Sequence, residues 1–319
     1  MRRRGEQILA FVLAFAGFSS GRAHAYVREA TSTGVPVAWR NPCIAMHLYL
    51  GAPPPVLSAA EVLAASSQAM AAWSYAQVAC TDIRLAVIAE PEETAGACHD
   101  GRNVIVFRKD TWCRQPAPSD DAGYADPGCY AASALAVTSI YKNKNTGEIL
   151  DADIEFNAVN YAWGDLVGQP ALATSTTADF QNALTHELGH VIGLDHPCYT
   201  GADEGGRLND NTGVPALDCN DPALPDETSQ ATMYPSVVLT DTQRRTLSPD
   251  DELGVCEIYP HTHEVCPIPS SDGGCNVAAA GGSARAWPVL AGAALALALV
   301  ALARWRRREP KATPPLRDS

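Results

Sequence analysis

The sequence predicts a mixed α/β (α+β) fold on three observations: five strand-like stretches, three segments with helix start signals, and chain enough between two apolar ends for one domain of roughly two hundred residues. Residues 45–50 read as a first strand, and 58–76 as an alanine-rich helix opened by Ser58 as its cap. Residues 83–88, 103–107 and 134–141 read as further strands. Turn chemistry in Lys144-Asn145-Thr146-Gly147 leads into a fifth strand at 153–157. Thr176, with Asp179 three residues on, caps the helix that carries His186 and His190. Ser248-Pro249, a cap residue followed by proline at the first helical position, starts the last helix, which runs to Tyr259. No internal repeat or long low-complexity segment interrupts the series.

The ends have a different character. Residues 1–25 read as a secretory signal: Arg2, Arg3 and Arg4, an apolar stretch over 8–18, then Ala23-His24-Ala25 as the cleavage site, with Tyr26 the first mature residue. The domain occupies 26–266, and 267–285 is a linker rich in Pro, Ser and Gly. Residues 286–303 form an uncharged apolar run about long enough to cross a bilayer as a transmembrane segment, and 304–319 a tail opened by Arg304, Arg306, Arg307 and Arg308. Arginines on that side put the tail in the cytoplasm and the domain outside. Export also accounts for ten cysteines. Formal charge is −13, but the two ends carry +8, so residues 26–284 carry −21. Such a surface repels nucleic acid, which is excluded as a partner. The acidic stretches 119–126 and 203–210 are candidate calcium sites, with a solvated acidic face as the plainer reading of each.

The segment from His186 to His196 reads HExxHxxGxxH without a mismatch. On a helix His186 and His190 lie one turn apart and project from the same face, where they can grip one ion. Glu187 points into the same cleft and is the candidate general base toward a metal-activated water. A third ligand at His196 requires the chain to turn sharply first, and Gly193 allows the turn because glycine enters positive φ at no steric cost. Three neutral imidazoles with a fourth position left to water are the donor set of a catalytic zinc, whereas magnesium and calcium prefer oxygen.

This segment resembles the zinc-binding signature of the metzincin endopeptidases, whose second hallmark is a methionine turn beneath the metal. Met233 is the only methionine after His196, and Met233-Tyr234-Pro235 resembles the turn of the matrixin branch. The resemblance implies a metzincin-like catalytic domain over residues 39–259, with a twisted, mostly parallel five-stranded sheet and three main helices. It makes 134–141 the antiparallel edge strand on which a substrate peptide lies as an added strand. It further makes Met233 and Tyr234 the floor and near wall of the site, and 235–239 the border of the pocket for the side chain after the cleaved bond. Gly273-Gly274-Cys275, the apolar run and the arginines together resemble the C-terminal sorting tail of myxobacterial surface proteins, in which the cysteine is the processing or anchoring residue. Residues 309–319 depart from that pattern.

The expected protein is therefore a zinc metalloendopeptidase acting on extracellular proteins or peptides, held at the membrane or cell surface by its tail and a sorting machinery. The alternative is a catalytically silent adhesion or interaction module on the same fold, which loss of Glu187 or of a ligand would mark. An intramembrane protease is excluded, because the motif lies far from the apolar run. Spacing does not fix disulfide pairing. The expected set is Cys43 with Cys80, Cys98 with Cys113, Cys198 with Cys219 and Cys256 with Cys266, leaving Cys129 over. Cys43 in Arg40-Asn41-Pro42-Cys43 invites comparison with the matrixin cysteine switch, but the Gly and Pro-Asp that should follow are missing, so a structural disulfide is expected there. His47, His99, His261 and His263 are read as ordinary surface or packing residues.

Overall fold

In chain order the elements are β1 (Val27–Arg28), β2 (Cys43–Tyr49), α1 (Ala59–Trp73), β3 (Arg84–Glu90), β4 (Val104–Arg108), β5 (Ala136–Lys142), β6 (Ile149–Asn157), β7 (Ala162–Gly164), β8 (Thr177–Asp179), α2 (Phe180–Val191), β9 (Leu194–Asp195), α3 (Asp226–Ser229) and α4 (Pro249–Ile258). They come from a computed structural model that describes residues 26–261 apart from 52, 55, 75, 92–96, 114–127 and 202–205. The signal, the linker with Cys275, the apolar run, the basic tail, Cys266, His263 and the acidic stretch 119–126 lie outside the described residues. No helix among those described is long and apolar enough to cross a membrane.

Five strands form one sheet in the order β3-β2-β4-β6-β5. The first four run parallel, and β5 lies antiparallel to β6 at the edge. All five residues of β4 are buried, as a central parallel strand covered on both faces requires. Along β6 the alternation sorts two environments: Ala152, Ile154 and Phe156 join the main core, while Asp151, Asp153 and Glu155 face the other way and are just as buried.

The helices cover the apolar face. Ser58 and Glu61 form a reciprocal capping box at the start of α1, which ends at Trp73, three residues short of the expected Ala76, where Ser74 leaves helical geometry. Its indole donates to the Thr185 carbonyl at 2.7 Å, fixing α1 against α2. Ten of the twelve residues of α2 are buried, so it is a central helix rather than a surface one. Its cap is Asp179 and not Thr176: one Asp179 oxygen accepts from the Asn182 amide at 2.9 Å, the other from the Leu166 amide at 2.8 Å. Arg245 closes on the same carboxylate. Phe180 then meets Phe107, Phe156 and Trp163 in an aromatic cluster that seats the helix on the sheet.

The disulfides correct the expected pairing in three of four cases. Cys198–Cys219 is as expected, but Cys80 joins Cys256 and Cys113 joins Cys129. Cys129 is thus not left over, Cys98 is the free thiol among the described residues, and Cys43 is bonded elsewhere than to Cys80. Cys80–Cys256 ties the segment after α1 to α4 across 176 residues of chain. Trp73 of α1 and Val255 of α4 belong to the same core cluster.

Candidate metal centre

His186 and His190 stand on α2 and His196 just past β9, and the three rings converge with centroids 4.7–5.4 Å apart. One ligand atom from each lies within 4.8 Å of the others, and among the described residues this is the only such group of three. Second contacts orient two of the rings. Nδ1 of His186 donates to the Thr232 carbonyl at 2.7 Å and Nδ1 of His190 to the Leu194 carbonyl at 2.9 Å. Each bond fixes the tautomer, leaving Nε2 with its lone pair free. The Nε2 atoms of His190 and His196 are 3.2 Å apart. That spacing is about the edge of a tetrahedron with nitrogens ~2.0–2.1 Å from its centre, so the donors fit one small ion. Nδ1 of His196 lies 3.9 Å from the Asp195 carboxylate.

Burial holds the His186 pKa down to about 3, helped by the neighbouring His190 and Arg244, and lowers that of His196 in the same way. Both rings are therefore neutral at physiological pH, the form in which imidazole binds a metal. Glu187 shifts oppositely: burial raises its pKa, while the charge of His190 and a hydrogen bond from Thr138 pull it back. That bond is 2.6 Å long and comes from β5.

The turn to His196 depends on Gly193, which has φ +93°. A Cβ there would also sit 2.7 Å from the Val37 carbonyl oxygen, so glycine is required twice over. The last carbonyls of α2, unpaired within the helix, are taken by distant side chains. Trp39 donates its indole N–H to Val191 at 2.7 Å, and the Tyr259 hydroxyl donates to Ile192 at 2.9 Å. The N-terminal segment closes the turn from outside: β1 pairs with β9, and the Glu29 amide donates to the Gly193 carbonyl at 3.0 Å.

Met233 is buried beneath the helix. A Cβ on Gly189 would approach its sulfur to 2.1 Å, so the glycine inside the motif makes room for the methionine. The turn itself hangs from Asp251 on α4, whose carboxylate accepts from the Thr232 amide at 2.7 Å and the Met233 amide at 3.3 Å. Thr232 is the residue whose carbonyl orients His186, so α4 reaches the histidine cluster through one carboxylate and one peptide. Sequence reasoning missed Asp251, although Ser248 and Asp251 form a capping box that marks it.

A cleft of about 1230 Å³ opens over the cluster, lined by His186, Glu187, His190 and His196, by β5 and by the 235–239 segment. Pro235 lines it, while Met233 and Tyr234 are not among its lining residues: the first lies under α2, and the second turns its hydroxyl to the Cys219 carbonyl at 3.2 Å. Arg244, also missed from sequence, holds that wall by donating to the Tyr234 and Ser236 carbonyls. Its own amide donates to Asn182 on α2 at 2.7 Å. Of the remaining histidines, His47 pairs with Glu90 and His261 with Asp82, while His99 stacks on Tyr141 at the rim of the cleft. Compared with known proteins, the chain matches no family model and no curated protein, and the centre is read from its own geometry.

Proposed function

We propose that the protein is an exported zinc-dependent metalloendopeptidase of the metzincin type, matrixin-like, which hydrolyses peptide bonds of extracellular proteins. The observation that carries this reading is the convergence of three imidazoles beside a buried glutamate, in a cleft that runs along the edge strand β5. Three nitrogen donors at this spacing suit zinc better than magnesium or calcium. The chemistry that a bound zinc supplies is Lewis acidity toward a carbonyl and a water acidified towards pKa ~7.

The chain's own residues do the rest. β5, the edge strand of the sheet, is where an extended peptide joins as an added strand and lies across the histidines. Glu187 takes the proton of the attacking water and delivers it to the nitrogen of the departing segment. Val237, Leu239 and Ala183 supply an apolar recess for the side chain beyond the scissile bond. The disulfides fit a domain that folds outside the reducing cytosol. In the same reading 286–303 anchors the domain at the membrane, and Cys275 is where a sorting machinery processes the tail.

The test is cleavage of an unbiased peptide library by the purified, zinc-replete protein. Hydrolysis that a chelator abolishes and added zinc restores is the expected result; a metal-replete protein that cuts nothing in the library sinks the reading.

A further inference from the structure

We propose that Thr138 is a positioning residue for the general base: its hydroxyl holds the Glu187 carboxylate in the orientation that receives the water proton. The inference rests on the peptidase reading and adds a part to it.

Residues 136, 138 and 140 of β5 share the face turned toward α2, because Thr138 pairs with Ile154 and Ile154 belongs to the main core. Ala136 and Ile140 pack against that core; Thr138 between them carries a hydroxyl. A hydroxyl facing a largely apolar layer costs stability unless it is hydrogen-bonded. Its partner is Oε2 of Glu187 at 2.6 Å, a charge-assisted distance, with a longer approach of 3.4 Å to the Glu187 carbonyl. Thr138 lines the same cleft as Glu187 and the three histidines.

A glutamate on a buried helix has three rotatable bonds, and each rotamer that swings its carboxylate away from the water position lowers the fraction of competent sites. One hydrogen bond from a β-branched residue on a paired strand removes that freedom, since both the strand and χ1 of threonine are stiff. Thr138 also sits on the edge strand to which the substrate adds, so docking of a peptide presses on the element that holds the base.

The experiment compares Thr138→Val, which keeps the shape and removes the hydroxyl, with Thr138→Ser, which keeps the hydroxyl. Steady-state kinetics, bound zinc and the affinity for a peptide hydroxamate are measured on each full-length, zinc-replete protein. The hydroxamate engages the base without turnover. Thr138→Val is expected to lower kcat on the order of tenfold with KM within about twofold, to keep its zinc, and to weaken the hydroxamate by a similar factor. Thr138→Ser is expected to stay within about threefold of the parent. Parent-like kcat and hydroxamate affinity in Thr138→Val would overturn the proposal. So would equal impairment of the two variants, or a loss that tracks bound zinc, since each points to packing rather than to the hydroxyl. A parent protein with no peptidase activity would overturn the peptidase reading, and this inference with it.

Discussion

The two faces of the β5–β6 ribbon bury ionisable groups in opposite ways. On the helix side the histidines and Glu187 converge on one point, and His186 and His190 each spend Nδ1 on a backbone carbonyl. On the far side Asp151, Asp153 and Glu155 form a ladder along one strand, each 0–1% exposed. Asp151 takes the amides of Asp100 and Gly101, Asp153 the amide of Val104, and Glu155 the guanidinium of Arg108 and the hydroxyl of Tyr130. One oxygen of Asp151 and one of Asp153 are buried without a partner. Rungs two residues apart on a strand are separated by roughly 6–7 Å along the backbone, too far for a single compact cage. Burial and the charge of Asp151 instead push Asp153 up to about 9. A convergent set of donors can hold a metal; an extended one answers the same desolvation by keeping a proton.

The comparison breaks if Glu187 belongs to a structural network like the ladder. Glu187→Ala is expected to cut turnover by roughly 10²-fold to 10⁴-fold while the three histidines keep their zinc. Metal content and hydrolysis measured on one preparation decide it, and near-parental turnover removes Glu187 from its role.

Asp251 is the test of how far the front-face order depends on a buried carboxylate with every oxygen in use. Asp251→Ala strands the amides of Thr232 and Met233 and opens the capping box of α4, so a loss of about 3 kcal/mol is expected in denaturant unfolding. Zinc affinity should fall with it, because the carbonyl that orients His186 belongs to Thr232. A variant as stable as the parent, with unaltered zinc affinity, would detach α4 from the centre.

The ladder predicts the reverse sign. A carboxyl whose folded pKa lies above its unfolded value binds its proton more tightly when folded, so its contribution is favourable at low pH and is lost as pH rises from about 4 toward 9. Asp100, Asp151, Glu155 and the Cys98 thiol share that environment with Asp153. Asp153→Asn keeps an acceptor for Val104 and carries no charge; it is expected to be more stable than the parent by about 2 kcal/mol at pH 8 and nearly equal at pH 4. Melting curves across that range would show it, and a variant less stable at pH 8 would mean that the site needs the charge.

The same contrast explains what the sequence made legible. The three histidines, Glu187 and Gly193 lie within eleven residues of chain, where helical geometry alone relates them. The five strands of the main sheet and the three main helices are also readable, because caps and alternation are local signals, whereas the short strands β1, β7, β8 and β9 are not. Thr138, Asp251 and Arg244 act from other elements, and half of what they orient is backbone carbonyl or amide, which leaves no mark in a sequence. Thr138 left one faint signal, a lone polar residue in the core-facing register of β5. The ladder left no mark either: acids at every second position of a strand do not announce burial, yet Asp151, Asp153 and Glu155 are all buried. Cysteine pairing shows the limit again, since the pair 21 residues apart was read correctly and the pair 176 apart was not.

The carboxyl-terminal helix has a consequence for the order of events during synthesis. His186, Glu187, His190 and His196 leave the ribosome well before Asp251 and Tyr259, the residues that suspend the methionine turn and close the end of the histidine helix. Until α4 has emerged, Asp251 cannot suspend the Thr232–Met233 turn and Tyr259 cannot take the Ile192 carbonyl, so the histidine cluster lacks two of its supports. The histidine cluster is thus among the last parts of the domain to gain all its supports, and on the proposed peptidase reading a chain still being made carries no finished cleft with which to cut its neighbours.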